Sequence, residues 1–253
     1  MALGALTSLL LFVAGAAGGA LNSVAGGGSF IAFPTMLFAG VPPVAANATT
    51  AVALWPAGLT SVAAYREHVP RDRRFVIVLS VVAALGGGVG AKLLLFTSDE
   101  TFARMIPFLM LAAALVFTFG PRLSKTTRKL PLAVGALIQL VIASYGGYFG
   151  GGMGILMLAT FTLLGMTHMH AMNALKVILG LLINGVASAL FLLSGKVDLA
   201  VALPATLGAL AGGWLGASYA KKIDPAKVRV GVLVVAWLLT AWFFVKPFVG
   251  SRS

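Results

Sequence analysis

Two glycine clusters constrain this chain more than any other feature. Gly26-Gly27-Gly28-Ser29 and Gly146-Gly147-Tyr148-Phe149-Gly150-Gly151-Gly152 both fall inside stretches apolar enough to lie in lipid. Glycine is a poor helix interior, costing about 1 kcal/mol relative to alanine, so each cluster marks a break in a membrane helix. Broken helices at matching places in two halves of a chain are the sequence sign of a secondary transporter with its site near the bilayer midplane.

The composition agrees. Of 253 residues, 60% are hydrophobic and 9% charged, with mean hydropathy +1.03; a soluble domain carries about 25% charged residues. The chain reads as an integral membrane protein. It has no Cys, which excludes disulfides and thiol-based metal or nucleophile chemistry. The net charge of +12 sits mostly in short loops between apolar runs, where it reports orientation in the membrane rather than a nucleic-acid partner. The first run, 2–23, lacks a basic leader and is long enough to span, so it is expected as a retained helix and not a cleaved signal peptide.

The apolar segments are 2–23, 28–40, 44–64, 74–96, 102–119, 131–146, 152–165, 170–193, 198–219 and 228–247. Most approach the ~20 residues that cross the hydrocarbon core. Segments 28–40 and 152–165 are too short and read as half-helices or returning arms of re-entrant hairpins. Three basic clusters, Arg66-to-Arg74, the linker 120–130 with Arg122, Lys125, Arg128 and Lys129, and Lys221-to-Arg229, should face the cytoplasm. The turns at Asp99-Glu100 and Lys196–Asp198 then fall outside, as do both termini, with Lys246 and Arg252 against the trend.

Five segments precede the basic linker and five follow it. An odd number per half inserts the second half upside down relative to the first, the inverted repeat of many transporters. The halves also align by residue type: Gly27-Gly28 with Gly152 and its neighbour, Gly40 with Gly165, Asn47-Ala48 with Asn173-Ala174, and Gly86-Gly87 with Gly212-Gly213. The expected fold is an all-α polytopic membrane protein of 8–10 membrane segments, built from halves 1–119 and 131–253 around the linker.

All six acidic residues lie in or beside loops, which argues against a carboxylate-based cation site or proton relay. One buried charge is positive. Lys176 lies about two turns into segment 170–193, where it either snorkels along its stem or counters an anionic substrate. At 100° per residue, Asn173, Lys176, Gly180, Asn184 and Ala187 share a narrow stripe, and Asn47, Thr50, Leu54, Gly58 and Ser61 share the matching one. Helix packing explains small residues at that spacing. It explains a lysine poorly.

A helix starting inside the membrane presents free N–H groups and its positive dipole end. The starts at Gly27, Gly28 and Ser29 (the last a candidate N-cap) and at Gly152 and Gly154 could both bind an anion, or the glycines could simply permit tight reversals. Asn22, Gln139, Ser144, Tyr145 and Tyr148 could line a pathway or satisfy backbone at the breaks. His168 and His170 are weak metal evidence. Pro34, Pro56 and Pro204 should kink their helices. No Walker, GxSxG or HExxH motif occurs, and neither metal nor cofactor is expected.

The stretches GGGSFIAFPTMLFAGVPPVAANATTAVAL and GGYFGGGMGILMLATFTLLGMTHMHAMNALKVILGLLINGVASALFLLSGKVD, with the later GGGVGAKL and GGWLGASYAKKI, resemble the TauE/SafE family of sulfite exporters over about 20–249. The resemblance implies an inverted-repeat transporter of sulfur-containing anions such as sulfite, thiosulfate or organosulfonates. It also implies that the half-helix glycines and the helix starts at Asn47–Thr50 and Asn173–Lys176 line the site. Leu175-Lys176 departs from the Thr49-Thr50 pair of the first half, which could favour a more highly charged anion. The expectation is export of sulfite or an organosulfonate such as sulfoacetate across the cell membrane by alternating access. Thiosulfate uptake, a passive anion channel and a non-transporting accessory subunit are the competing readings. Expected partners are a small anionic substrate and the lipid bilayer, with a homodimer open and no nucleic acid.

Overall fold

The computed structural model describes residues 4–24, 27–123, 129–219 and 225–245. Gly26, Lys125, Arg128, Lys221, Lys222, Lys246 and Arg252, which entered the sequence argument, lie outside them. The described residues form helices α1 (Ala5–Val24), α2 (Ser29–Phe38), α3 (Pro43–Tyr65), α4 (Arg73–Phe96), α5 (Asp99–Leu123), α6 (Leu132–Tyr148), α7 (Met153–Leu163), α8 (Met169–Leu193), α9 (Leu199–Tyr219) and α10 (Pro225–Val245), plus a 3-10 turn at Arg66–His68. Among the described residues five stretches, in α1, α4, α5, α8 and α9, are long and apolar enough to cross a membrane. Leu85, Phe96, Leu137, Val141 and Trp214 point outward with more than half their surface exposed, a cost in water that vanishes in lipid.

The short helices are the two expected half-helices. α2 has 10 residues and α7 has 11, about 15–17 Å at 1.5 Å per residue, half the hydrocarbon thickness. Both are bounded by glycines in the left-handed region: Gly27 (φ 90°) before α2 and Gly40 (φ 87°) after it, Gly152 (φ 78°) before α7 and Gly165 (φ 87°) after it. An L side chain is strained there by about 1–2 kcal/mol. Their C-termini close identically: Val41 N donates to Met36 O and Gly40 N to Leu37 O, while Met166 N donates to Phe161 O and Gly165 N to Thr162 O. This is how a glycine cap satisfies final carbonyls that lipid cannot.

Helix pairing follows a regular scheme. α1 packs on α9 and α6 on α4; α3 packs on α9 and α8 on α4; α3 and α8 pack on each other, as do α5 and α10. Exchanging α1–α5 for α6–α10 turns this set of pairs into itself. The tightest contacts are glycine-mediated. A side chain at Gly15, Gly19, Gly208 or Gly212 would enter the backbone across the α1–α9 interface, and one at Gly90 or Gly147 the backbone across α4–α6. Without a hydrophobic drive between helices in lipid, such close backbone approach supplies the association.

Different loops meet at the two ends of α3 and α8. The His68 ring lies on His170 with 5.1 Å between centres, bringing the 3-10 turn beside the arginine cluster to the start of α8. At the opposite end Val44 N donates to the Asp99 carboxylate (2.8 Å), and Asp198 N donates to Thr49 Oγ1 (3.0 Å).

Candidate substrate site

The starts of α2 and α7 open onto one internal cavity of about 140 Å³, walled by α3 and α8. That is well below the ~300 Å³ at which drug-sized pockets begin, so the cavity has room only for something small. The α3 stripe lines it in full, with Asn47, Thr50, Leu54, Gly58 and Ser61; from the α8 stripe come Lys176, Gly180, Asn184 and Ala187. Asn22, Gly27, Ser29, Gly152 and Gly154 line it as well. Gly28, Asn173, Gln139 and Tyr148 do not.

The four outliers have structural explanations or none. Gly28 is pressed against the backbone of Gly18 in α1, and its amide donates to Asn22 Oδ1 at 2.8 Å. It also takes the cap position of α2, so Ser29 is the first helical residue and not the N-cap. The Tyr148 carbonyl accepts from Asn47 Nδ2 at 2.8 Å, which ties the start of α3 to the end of α6 beside the second break. Gln139 is fully buried with no hydrogen-bond partner for either amide atom among the described residues. It lies on α6 between Gly135, which faces Leu164, and Gly146, which faces Met153, and therefore faces α7. Asn173 has no role that the geometry explains.

Some polar groups near the breaks serve the backbone. Tyr145 OH donates to Gly151 O at 2.6 Å, and Thr50 Oγ1 donates to Ala46 O at 2.7 Å, with Met36 Sδ at 3.2 Å. Asn184 Nδ2 donates back to Gly180 O at 3.0 Å, leaving its oxygen for the cavity.

Lys176 differs from these. Its stem crosses the first turn of α7, where a Cβ at Gly154 would sit 3.3 Å from Lys176 Cδ. Among the described residues its ammonium has no ion-pair or hydrogen-bond partner. The amides of Gly152 and Gly154, and of Ser29 across the cavity, likewise lack backbone acceptors among the described residues. Among the described residues a cation, N–H donors without backbone acceptors and two positive helix ends converge where no carboxylate lines the wall. Such a site favours an oxyanion and repels a cation.

The apolar wall was missed by sequence reasoning. Trp55, Phe117, Phe149, Met153, Ile155, Met157, Val177 and Leu181, with Ala51, Gly146, Gly147 and Gly150, complete the lining. The indole of Trp55 donates to Leu181 O at 3.1 Å. An aromatic or methionine in an apolar run carries no sign of facing a cavity; only Pro56, next to Trp55 in α3, marks the place as irregular.

A bundle of apolar helices, two of them broken at a shared internal cavity, defines a polytopic membrane transporter. The relatives carry names of that class. "Probable membrane transporter protein" of Haemophilus influenzae is 30% identical over 92% of this chain and 92% of its own length. "Probable membrane transporter protein ORF9" of a Sinorhizobium species is 32% identical over 90% and 91%, and YfcA of Escherichia coli K12, another probable membrane transporter, is 27% identical over 93% and 88%. Residues 11–243 match the model of the family described as Sulfite exporter TauE/SafE, and the chain belongs to that family. It is a membrane transporter and not an enzyme. No solved structure matches it significantly.

Proposed function

We propose that the protein exports small sulfur-containing anions, sulfite or an organosulfonate such as sulfoacetate, across the cell membrane by alternating access. The observation that carries this reading is Lys176, unpaired among the described residues and lying over the start of α7 in a cavity without carboxylates. Lys176 supplies charge, the amides of Ser29, Gly152 and Gly154 bind oxyanion oxygens, and Asn184 orients the ligand. Asn47 acts at one remove, by holding the Tyr148 carbonyl.

The halves 1–119 and 131–253 form an inverted repeat around the basic linker, which faces the cytoplasm with the arginine cluster. The exchange-symmetric helix pairing supports the repeat, and the position of Asp99 at the end opposite the arginine cluster supports the orientation. An inside-negative potential then drives anions outward by ~2.3 kcal/mol per charge per 100 mV.

The test is thermal stabilisation of purified protein by sulfite, thiosulfate, sulfoacetate, sulfate, nitrate and chloride. A ligand at 100 times its Kd stabilises by ~2.7 kcal/mol. Selective stabilisation by a sulfur oxyanion, abolished in Lys176→Met, is the expected result. Stabilisation by cations alone would sink the reading.

A further inference from the structure

Along α3 the lining residues Asn47 and Thr50 lie on one side of Trp55, and Gly58 and Ser61 on the other. The indole therefore stands at the middle of the cavity's length. It is held there twice. Its N–H donates to Leu181 O at 3.1 Å, and its ring edge fits the space over Gly185, where a Cβ would lie 3.0 Å from the indole nitrogen. Opposite, a Cβ at Gly58 would lie 3.2 Å from Leu181, so α3 and α8 cross antiparallel at this level. Phe117 and Phe149 also line the cavity with rings, packed edge-on against Phe30 and Phe33, whereas Met153 and Leu181 have flexible or branched chains that can shift rotamer. The indole cannot swing without giving up a hydrogen bond between two helices away from water.

We propose that Trp55 is the specificity-determining residue of the site: its fixed indole is the wall against which the non-ionic part of the anion packs, and it sets the upper size of that part. This rests on the anion reading above. With the oxyanion held by Lys176 and the amides, any carbon chain must run along the apolar wall and meets the indole.

The experiment measures binding of sulfite and of straight-chain alkanesulfonates of increasing length to the wild type, Trp55→Phe and Trp55→Ala, by thermal stabilisation and by uptake into vesicles. Trp55→Ala should gain the longer sulfonates, changing their affinity relative to sulfite by about tenfold or more for each methylene newly admitted. Trp55→Phe keeps a ring without the N–H and should stay near the wild-type ratio while losing thermal stability. If sulfite and the longer sulfonates weaken together at a constant ratio, Trp55 only ties α3 to α8 and the proposal is overturned. A second readout leaves Trp55 intact. With Trp214, Trp237 and Trp242 replaced by Phe, sulfonate binding should shift the remaining emission; binding without a shift also overturns it. If no sulfur anion binds the wild type, the anion reading fails first and takes this proposal with it.

Discussion

The α2–α3 and α7–α8 hairpins are built alike and finished differently. Each has a half-helix entered through a left-handed glycine, closed by the same glycine cap, and followed by a long helix whose small and polar stripe faces the cavity. Of the matched positions at which their stripes differ, one carries a charge. In α3 it is Thr50, whose hydroxyl is spent on Ala46 O of its own helix. In α8 it is Lys176, whose ammonium finds no partner among the described residues. A helix can absorb a buried hydroxyl by back-bonding to the previous turn, but it cannot absorb an ammonium. The paired hairpins therefore build the cavity, and on the proposed reading Lys176 is what suits it to an anion.

Substitutions can break or sharpen that contrast. The largest effect belongs to Lys176→Met, expected to cost about 2–5 kcal/mol of anion binding with the fold kept, as read by ligand-induced thermal shift against an unchanged helical spectrum. Unchanged affinity would reduce Lys176 to a snorkelling residue. Next come the helix contacts: Gly90→Ala and Gly212→Ala each force a Cβ into facing backbone and should destabilise by about 1–3 kcal/mol. The matched interfaces should suffer alike in detergent melts, and a large inequality would count against equivalent halves.

Gly27→Ala and Gly152→Ala place a Cβ in the left-handed region at matched breaks, for about 1–2 kcal/mol of strain each. Equal losses of stability with unequal losses of sulfite binding, worse for Gly152 at the start of the helix that the Lys176 stem crosses, are the expected pattern; equal binding losses would mean that the anion sits midway. The smallest effect is Thr50→Val, which removes a hydrogen bond of about 0.5–1.5 kcal/mol from stability. Titration with sulfite should find binding less affected than in any variant at Lys176 or Gly152, and a comparable loss would make Thr50 a ligand group in its own right.

Much of this architecture was legible in the chain. Apolar runs located the helices to within a few residues, because a span in lipid must be continuously apolar and its ends polar. The glycine clusters located both breaks, because left-handed backbone is cheap only for glycine. The two stripes were legible because helical period is local, and a projection alone was enough: Asn47, Thr50, Leu54, Gly58, Ser61, Lys176, Gly180, Asn184 and Ala187 line the cavity, while Asn173 does not.

Sequence by itself determined where helices run and break, that no carboxylate lies deep in a span, and that one lysine does. Tertiary structure decided which residues meet. It spent Gly28 on the backbone of α1, Thr50 on its own helix and Tyr148 on Asn47. It turned Gln139 toward α7 without a partner, and it set Trp55 across the α3–α8 crossing. The physical reason is one of range. Burial in lipid, helical period and glycine backbone freedom act within a few residues of chain. A contact such as that between Trp55 and Leu181 depends on how two distant helices cross, which their own residues encode only jointly.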